Sequence, residues 1–406
     1  MGALDGVRVV DFTRHMAGPY ATLVLADHGA DVIKVEALPG GDPTRRAGKD
    51  FVGQESAMFL LWNRGKRSVA LDFRTPQGLE VISKLVAGAD VVVENYRPGV
   101  ADRIGIGYQT MAAINPGLVY CSVSAFGATG ELREAAGTDP VVQAFSGVMS
   151  VTGEAGGEPL LVGVPVADHT GAMHAVQGIL LALIARQRSG RGQLVEVPMA
   201  FALMTMLSTR LGSYWASGRD PQAAGSAHTA YAPYQVFQTA DGSVMAGAWG
   251  GDSWPRFCAA IDRPQLATDP RFASNQGRLR NLAQLIDLIN PVLAARTTAE
   301  WAGRFAAAGA LFAPVLTISQ ALAHPHTVSA GFVQSVQHAT LGPIPQLAPP
   351  IRLSADPASI HLPPPLLGQH TVEVLGESGY DLAQIEGLLG SGIAAAWDPP
   401  GPSTGG

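Results

Sequence analysis

Val7-Arg8-Val9-Val10-Asp11-Phe12, a helix-like run over 19–28 closed by Gly29, and Asp31-Val32-Ile33-Lys34-Val35-Glu36 make a strand–helix–strand unit near the start of the chain. The two strand segments are apolar runs rather than alternating ones, as in strands covered on both faces. Pro19 at the helix start and Gly29 past its end are the expected punctuation. The pattern recurs in Ser68-Val69-Ala70-Leu71-Asp72-Phe73, in a helix opened by Thr75-Pro76, in Asp90-Val91-Val92-Val93-Glu94-Asn95 and in Leu118-Val119-Tyr120-Cys121-Ser122-Val123. Strands and helices alternating over residues 7–200 specify an α/β fold built on a parallel sheet. Such sheets bind ligands beyond the C-terminal ends of their strands. Residues 12–19, 94–98 and 124–130 are therefore expected to converge on one site.

The segment after the first strand, Thr13-Arg14-His15-Met16-Ala17-Gly18-Pro19, has no G-x-G-x-x-G, and no P-loop occurs. Glu36 alone stands where a dinucleotide fold keeps its ribose acid, so the NAD and FAD readings are rejected. The chain has 406 residues, 47% hydrophobic and 15% charged, with a net charge of −6. That is a globular composition and argues against a general nucleic-acid binder. The basic spots Lys66-Arg67 and 186–191 suit either a phosphorylated small molecule or a solvated surface. Two cysteines, Cys121 and Cys258, are too few for a disulfide framework or zinc cluster. No signal peptide is read at the N-terminus. The apolar run 172–184 carries His174 and Gln177 and is too short to span a bilayer. A cytoplasmic protein without membrane partner or bound metal is expected.

The texture changes near residue 225. A hairpin with an Asp241-Gly242 turn is followed by expected helices at 254–261, 279–295 and 299–308, the last capped by Thr298. The expected organisation is a large-domain N-terminal part over 1–224 and a small α+β domain over 225–330. A Pro-rich strap and C-terminal part over 331–397 return to the large domain, with short helices near 371–377 and 382–389. A disordered tail is expected over 398–406.

Val164-Pro165-Val166-Ala167-Asp168-His169-Thr170-Gly171-Ala172-Met173 puts one carboxylate where an extended segment turns into a helix. Helix N–H groups and the helix dipole favour the ionised form there, and a desolvated carboxylate is a nucleophile. Asp is also a preferred N-cap. The local sequence alone leaves both roles open.

Further segments make a longer pattern: Leu4-Asp5-Gly6, Ala17-Gly18-Pro19, Gly29-Ala30-Asp31, Asn63-Arg64-Gly65-Lys66-Arg67-Ser68, Glu94-Asn95-Tyr96-Arg97-Pro98-Gly99, Asp168 with its helix, and Gly190-Arg191-Gly192-Gln193. In order and spacing the chain resembles the family III coenzyme A transferases, which include formyl-CoA and carnitine CoA-transferases and an α-methylacyl-CoA racemase branch. The resemblance covers nearly the whole chain. It implies an interlocked homodimer, each chain with a Rossmann-like large domain and a small domain. Coenzyme A is expected between the large domain of one subunit and the small domain of the other, as substrate rather than resident cofactor. Asp168 matches the family's nucleophilic aspartate. His15, Met16 and Ala17 match the segment lining the thioester and pantetheine. Leu71, Arg74, Asn95, Tyr96 and Arg103 match positions holding the nucleotide, and Met199 matches another coenzyme A contact. Gly250-Gly251 falls where many members have a glycine loop closing over the aspartate; a plain turn fits it as well.

The implied chemistry exchanges a thioester between two acids through a mixed anhydride and an aspartyl-CoA thioester. The acyl group stays activated throughout, so no ATP is needed. Two departures matter. Thr138 stands where the racemase branch has its catalytic histidine, and threonine does not exchange protons near neutral pH. A 2-methylacyl-CoA racemase is therefore the weaker alternative, and His169 is read as structural. Met16, Ala136 and Thr138 replace polar positions of the formyl-CoA:oxalate type. They suggest a more apolar pocket and a larger or less charged acyl group.

Overall fold

The computed structural model describes residues 2–398; positions 399–406 of the expected tail lie outside the described residues. The chain forms two compact units. The first takes in residues up to 148, 161–211 and from 328 onward, the second 149–160 and 212–327.

The first unit is built on a seven-stranded sheet. Its strands are β1 (Arg8–Asp11), β2 (Asp31–Ala37), β3 (Lys66–Leu71), β4 (Val91–Glu94), β5 (Val119–Ser124), β6 (Leu194–Pro198) and the short Ala394–Ala395. The spatial order is Ala394–Ala395, β3, β2, β1, β4, β5, β6. All neighbours are parallel except the antiparallel edge strand Ala394–Ala395. The chain steps from β1 through β2 to β3, then returns to β4 on the other side of β1. That reversal opens a crevice at the C-terminal ends of β1 and β4.

Four helices matter for the site: α1 (Ala17–Asp27), α2 (Pro76–Ala87), α3 (Asp139–Ser146) and α4 (Val166–Ser189). Successive strand residues feed opposite cores. Val9, Val91 and Val119 pack with Leu25 of α1 and Ala175 and Ile179 of α4. Val10, Val92 and Tyr120 pack with Val81 and Leu85 of α2. Both faces are covered, which explains the uninterrupted valine runs. At the end of α1, Gly29 adopts φ +102°, a conformation costly for any residue with a Cβ. The Thr75 hydroxyl accepts from the Gly78 N–H, the cap expected for α2.

The C-terminal segment opens with a hairpin, Val333–His338 with Gly342–Leu347. The Pro-rich stretch behind it runs along the first unit. Ser359 donates to the Asp27 carbonyl at 3.0 Å and Gly65 to that of Leu362 at 2.9 Å. The helices Thr371–Glu377 and Leu382–Gly390 follow.

The second unit has an antiparallel sheet, β7 (Tyr234–Gln238), β8 (Ser243–Gly247) and β9 (Leu311–Pro314), with β8 central. Its core gathers Phe257, Phe272, Leu285, Ile289, Trp301 and Phe305. Two local expectations need correction. The helix expected over 279–295 is two helices, Asn275–Arg280 and Leu282–Leu293, meeting at Asn281. The Asn281 side chain donates to the carbonyls of Gly277 and Arg271, competing with continuous helix. The cap of Thr298–Ala308 is Thr297, not Thr298. The Thr297 hydroxyl accepts from the Glu300 N–H and the Glu300 carboxylate accepts in return, while the Thr298 N–H donates to Asp241.

Candidate active site

Helix α4 starts behind Pro165, which occupies the cap position and offers no side-chain acceptor. Its first N–H groups need a partner. The partner comes from α3, where the buried Asp139 is the first residue. Asp139 Oδ2 accepts from the backbone N–H of Ala167 at 2.7 Å and of Asp168 at 3.1 Å. Asp139 Oδ1 accepts from Gln143 Nε2. The capping role open to Asp168 thus belongs to Asp139. Among the described residues the Asp168 carboxylate has no hydrogen-bond partner.

Its electrostatics follow. Burial, and then the charge of Asp139, push the Asp168 carboxyl from 3.8 up to about 7. A helix dipole contributes only about 0.3–1 kcal/mol, against roughly 4 kcal/mol for a shift of that size. The expectation that the dipole holds Asp168 firmly ionised is therefore reversed by burial and a like charge.

Asp168 opens onto a cavity of about 700 Å³. Arg14, His15, Met16 and Ala17 line it behind β1, Asn95 to Pro98 behind β4, and Val123 to Phe126 at the end of β5, with Thr138, Pro165 and Met199. The three segments expected to converge do so here. The β1 and β4 loops are tied across the crevice: Arg14 N–H donates to Asn95 Oδ1 at 2.8 Å, and Asn95 Nδ2 donates to the Arg14 carbonyl at 2.7 Å. The Arg14 guanidinium lies 4.4 Å from the Tyr96 ring centroid, a cation–π contact. Among the described residues Arg14 Nε is buried without a hydrogen-bond partner.

A buried charge network carries the β1 loop. Asp11 accepts from Thr13 N–H at 2.8 Å, the Thr22 hydroxyl at 2.6 Å and Lys66 Nζ at 3.1 Å. Lys34 Nζ donates to the Thr13 carbonyl at 2.8 Å and pairs with Asp42 at 3.0 Å. Glu36 pairs with Arg45 at 2.7 Å. Burial outweighs the opposing pull of Asp11 and brings Lys66 down to about 8. For Asp42 burial pushes upward, but Lys34 and the bonds from Thr44 win and hold it at about 2. On this foundation His15 adopts φ +65°, unusual for a residue with a Cβ. Its N–H donates to Asp42 at 3.3 Å. His169 packs edge-on against Tyr20, with ring centroids 4.6 Å apart.

The cavity brings together Asp168, His15, Met16, Ala17, Asn95, Tyr96 and Met199. It does not include Leu71, whose side chain is buried in the sheet core. Arg74 lies on the surface, paired with Asp72 at 2.7 Å, and Arg103 is exposed at the end of the short helix Val100–Arg103. Gly250 and Gly251 belong to the second unit, with φ of +64° and +46°. Asp139, Arg14, Arg97 and Arg133 escaped the sequence reading. The Thr138-Asp139-Pro140 helix start marks Asp139, but its partners lie 28 and 29 residues away. The apolar-pocket expectation covers only part of the lining, because three arginines share it with Met16 and Thr138. Among the described residues no cluster of His, Cys, Asp and Glu suits a metal, and no helix is long and apolar enough to cross a membrane.

Comparison with known proteins agrees with this architecture. Residues 4–371 match CoA-transferase family III. The chain is 36% identical to succinyl-CoA:glutarate CoA-transferase of Homo sapiens over 391 residues, covering 96% of this chain and 89% of that one. It is 35% identical to succinate–glutarate CoA-transferase of Agrobacterium fabrum over 390 residues, covering 92% and 95%. The crystal structure of a CaiB/BaiF family protein from Brucella suis superposes with a TM-score of 0.83 at 36% identity, covering 93% of this chain and 99% of that one. The mixed α/β fold, the extent of the match and the relatives' activities agree, and the chain is a CoA-transferase belonging to family III.

Proposed function

We propose that this enzyme moves coenzyme A from an acyl-CoA to a free carboxylic acid through covalent intermediates on Asp168. The observation that carries this reading is the Asp168 carboxylate itself: half-buried, without a hydrogen-bond partner among the described residues, and opening onto the crevice where the strand order reverses. The ionised carboxylate attacks the thioester carbonyl, the C–S bond breaks, and a mixed anhydride and a CoA thiolate form. The thiolate attacks the aspartyl carbonyl, releasing the donor acid and leaving an aspartyl-CoA thioester. The acceptor carboxylate attacks that thioester, and the expelled thiolate then takes the acyl carbon of the new anhydride and frees Asp168. Each step exchanges one anion for another, so no proton has to move; what is required is an ionised Asp168.

His15, Met16, Ala17 and Met199 are assigned to the thioester and pantetheine, and Asn95 and Tyr96 to the nucleotide. Arg74 and Arg103 are assigned to phosphates, Arg74 exchanging its Asp72 partner for one, and Leu71 to the nucleotide. Gly250-Gly251 is assigned to the loop that stabilises the oxyanions; its positive φ values favour glycine. Arg14, Arg97 and Arg133 around the cavity favour a dicarboxylic donor and acceptor, in line with the relatives named for succinyl-CoA and glutarate. The working form is assigned as a cytoplasmic, interlocked homodimer. In its support, Met173, Leu181 and Ile184 of α4 are 53%, 68% and 56% exposed in the single chain.

The test is mass spectrometry after mixing with succinyl-CoA, with hydroxylamine trapping. An adduct on the Asp168 peptide, absent in Asp168→Ala, supports the mechanism. Full turnover by Asp168→Ala refutes it. Deuterium wash-in at the α-carbon of a 2-methylacyl-CoA without acceptor acid would instead identify a racemase.

A further inference from the structure

We propose that Asp139 is a positioning residue for the reaction: from α3 it ties down two backbone N–H groups in the first turn of α4, keeping the Asp168 carboxylate out of the cap, bare, and beside a second negative charge. The inference rests on the reading of Asp168 as nucleophile and deepens it.

Three observations carry it. Pro165 supplies no side-chain acceptor, so the first turn of α4 has free donors. Asp139 is buried and satisfies two of them, at 2.7 and 3.1 Å, while Gln143 holds its other oxygen. The turn carrying the nucleophile is therefore fixed by a residue whose carboxylate is saturated with N–H donors. Asp168, three residues into the helix, keeps its oxygens for an incoming carbonyl. A carboxylate that accepted those N–H bonds itself would be stabilised and a poorer nucleophile.

The charged and titratable groups around this end of α4 are few. Asp139 comes from α3, His169 from α4 itself and Tyr20 from α1. Across the cavity stand Arg14, His15, Tyr96, Arg97 and Arg133. Among these Asp139 is the neighbour that acts on Asp168, second only to burial.

Asp139→Asn keeps an oxygen for the two N–H groups and removes the charge. The ¹³C-NMR titration of the Asp168 carboxyl, assigned by difference from Asp168→Asn, should move down by about one pH unit. It should stay above the ordinary aspartate value, because burial remains. The acid limb of kcat/KM with succinyl-CoA and glutarate should move with it. Asp139→Ala also strands the two N–H groups, so kcat should fall by about 10–100-fold with little change in KM. A folded Asp139→Asn enzyme whose Asp168 titration superimposes on the wild type would overturn the proposal. Failure of the nucleophile reading is a separate result, turnover by Asp168→Ala, and the titration is readable without turnover.

Discussion

Replacing Asp168 by Asn should abolish transfer and yet stabilise the protein, in a strongly pH-dependent way. The Asp168 carboxyl sits at about 7 in the folded chain against its ordinary 3.8. A raised folded value means that the native state holds a proton more tightly than the unfolded chain does. The stability this contributes is fully present below the ordinary value and is lost as pH climbs through about 7. Roughly three units at about 1.36 kcal/mol each set a ceiling near 4 kcal/mol. Asp168 is half-buried and opens to the cavity, and screening brings the expected penalty to about 2 kcal/mol above pH 8. Asparagine does not titrate and escapes it. Urea unfolding of both proteins at pH 4.5 and 8.5 reads the difference. Asp168→Asn should match the wild type within about 0.5 kcal/mol at pH 4.5 and exceed it by about 2 kcal/mol at pH 8.5. An equal gap at the two pH values, or a less stable variant at pH 8.5, would refute the reasoning.

Other outcomes follow from the same structure. The acid limb of kcat/KM should fall about tenfold per pH unit below about 7, as the Asp168 carboxylate takes up its proton; a flat profile from pH 5 to 8 would count against it. Asp11→Asn should cost about 3 kcal/mol by denaturant titration near pH 6, since it removes the charge that holds Lys66 up at about 8 and leaves the buried amine either an unpaired ammonium or forced to shed its proton. That loss should shrink as pH rises through about 8, where wild-type Lys66 gives up its proton as well. Phe305→Ala empties part of the second unit's core and should lower its stability by about 3–5 kcal/mol, measured by thermal unfolding.

The parallel sheet was legible because its strands are written in runs such as Val91-Val92-Val93, where both faces are buried and each residue carries the same message. The crevice followed from topology, since the segments behind β1, β4 and β5 had to meet at the strand ends. What local patterns did not reveal depends on partners distant in the chain. Asp139 looks like an ordinary residue of a Thr-Asp-Pro helix start; its role appears only when Ala167 and Asp168 arrive beside it. The break at Asn281 turns on side-chain bonds to Gly277 and Arg271, and the choice of Thr297 over Thr298 on a reciprocal bond with Glu300. Residues matched by resemblance divide similarly. Those in the β1 and β4 loops gather at the cavity, whereas Leu71 turns its side chain inward and Arg74 has taken a local partner.

The six charges beneath the β1 loop alternate in sign and sum to zero: Asp11 and Lys66, Lys34 and Asp42, Glu36 and Arg45. Each is at most 7% exposed. A neutral replacement in the Asp11–Lys66 or Lys34–Asp42 pair leaves an opposite charge in the interior without its salt-bridge partner, at a cost of about 3–5 kcal/mol, a large share of what holds a typical domain together; Arg45 alone has a second carboxylate, Glu55, at 3.6 Å. Change at these positions is therefore coupled: a neutral replacement is tolerated best when its partner is replaced too. The loop resting on them inherits that resistance, so the segment that lines the cavity can vary in Arg14, His15 and Met16 while its scaffold stands still.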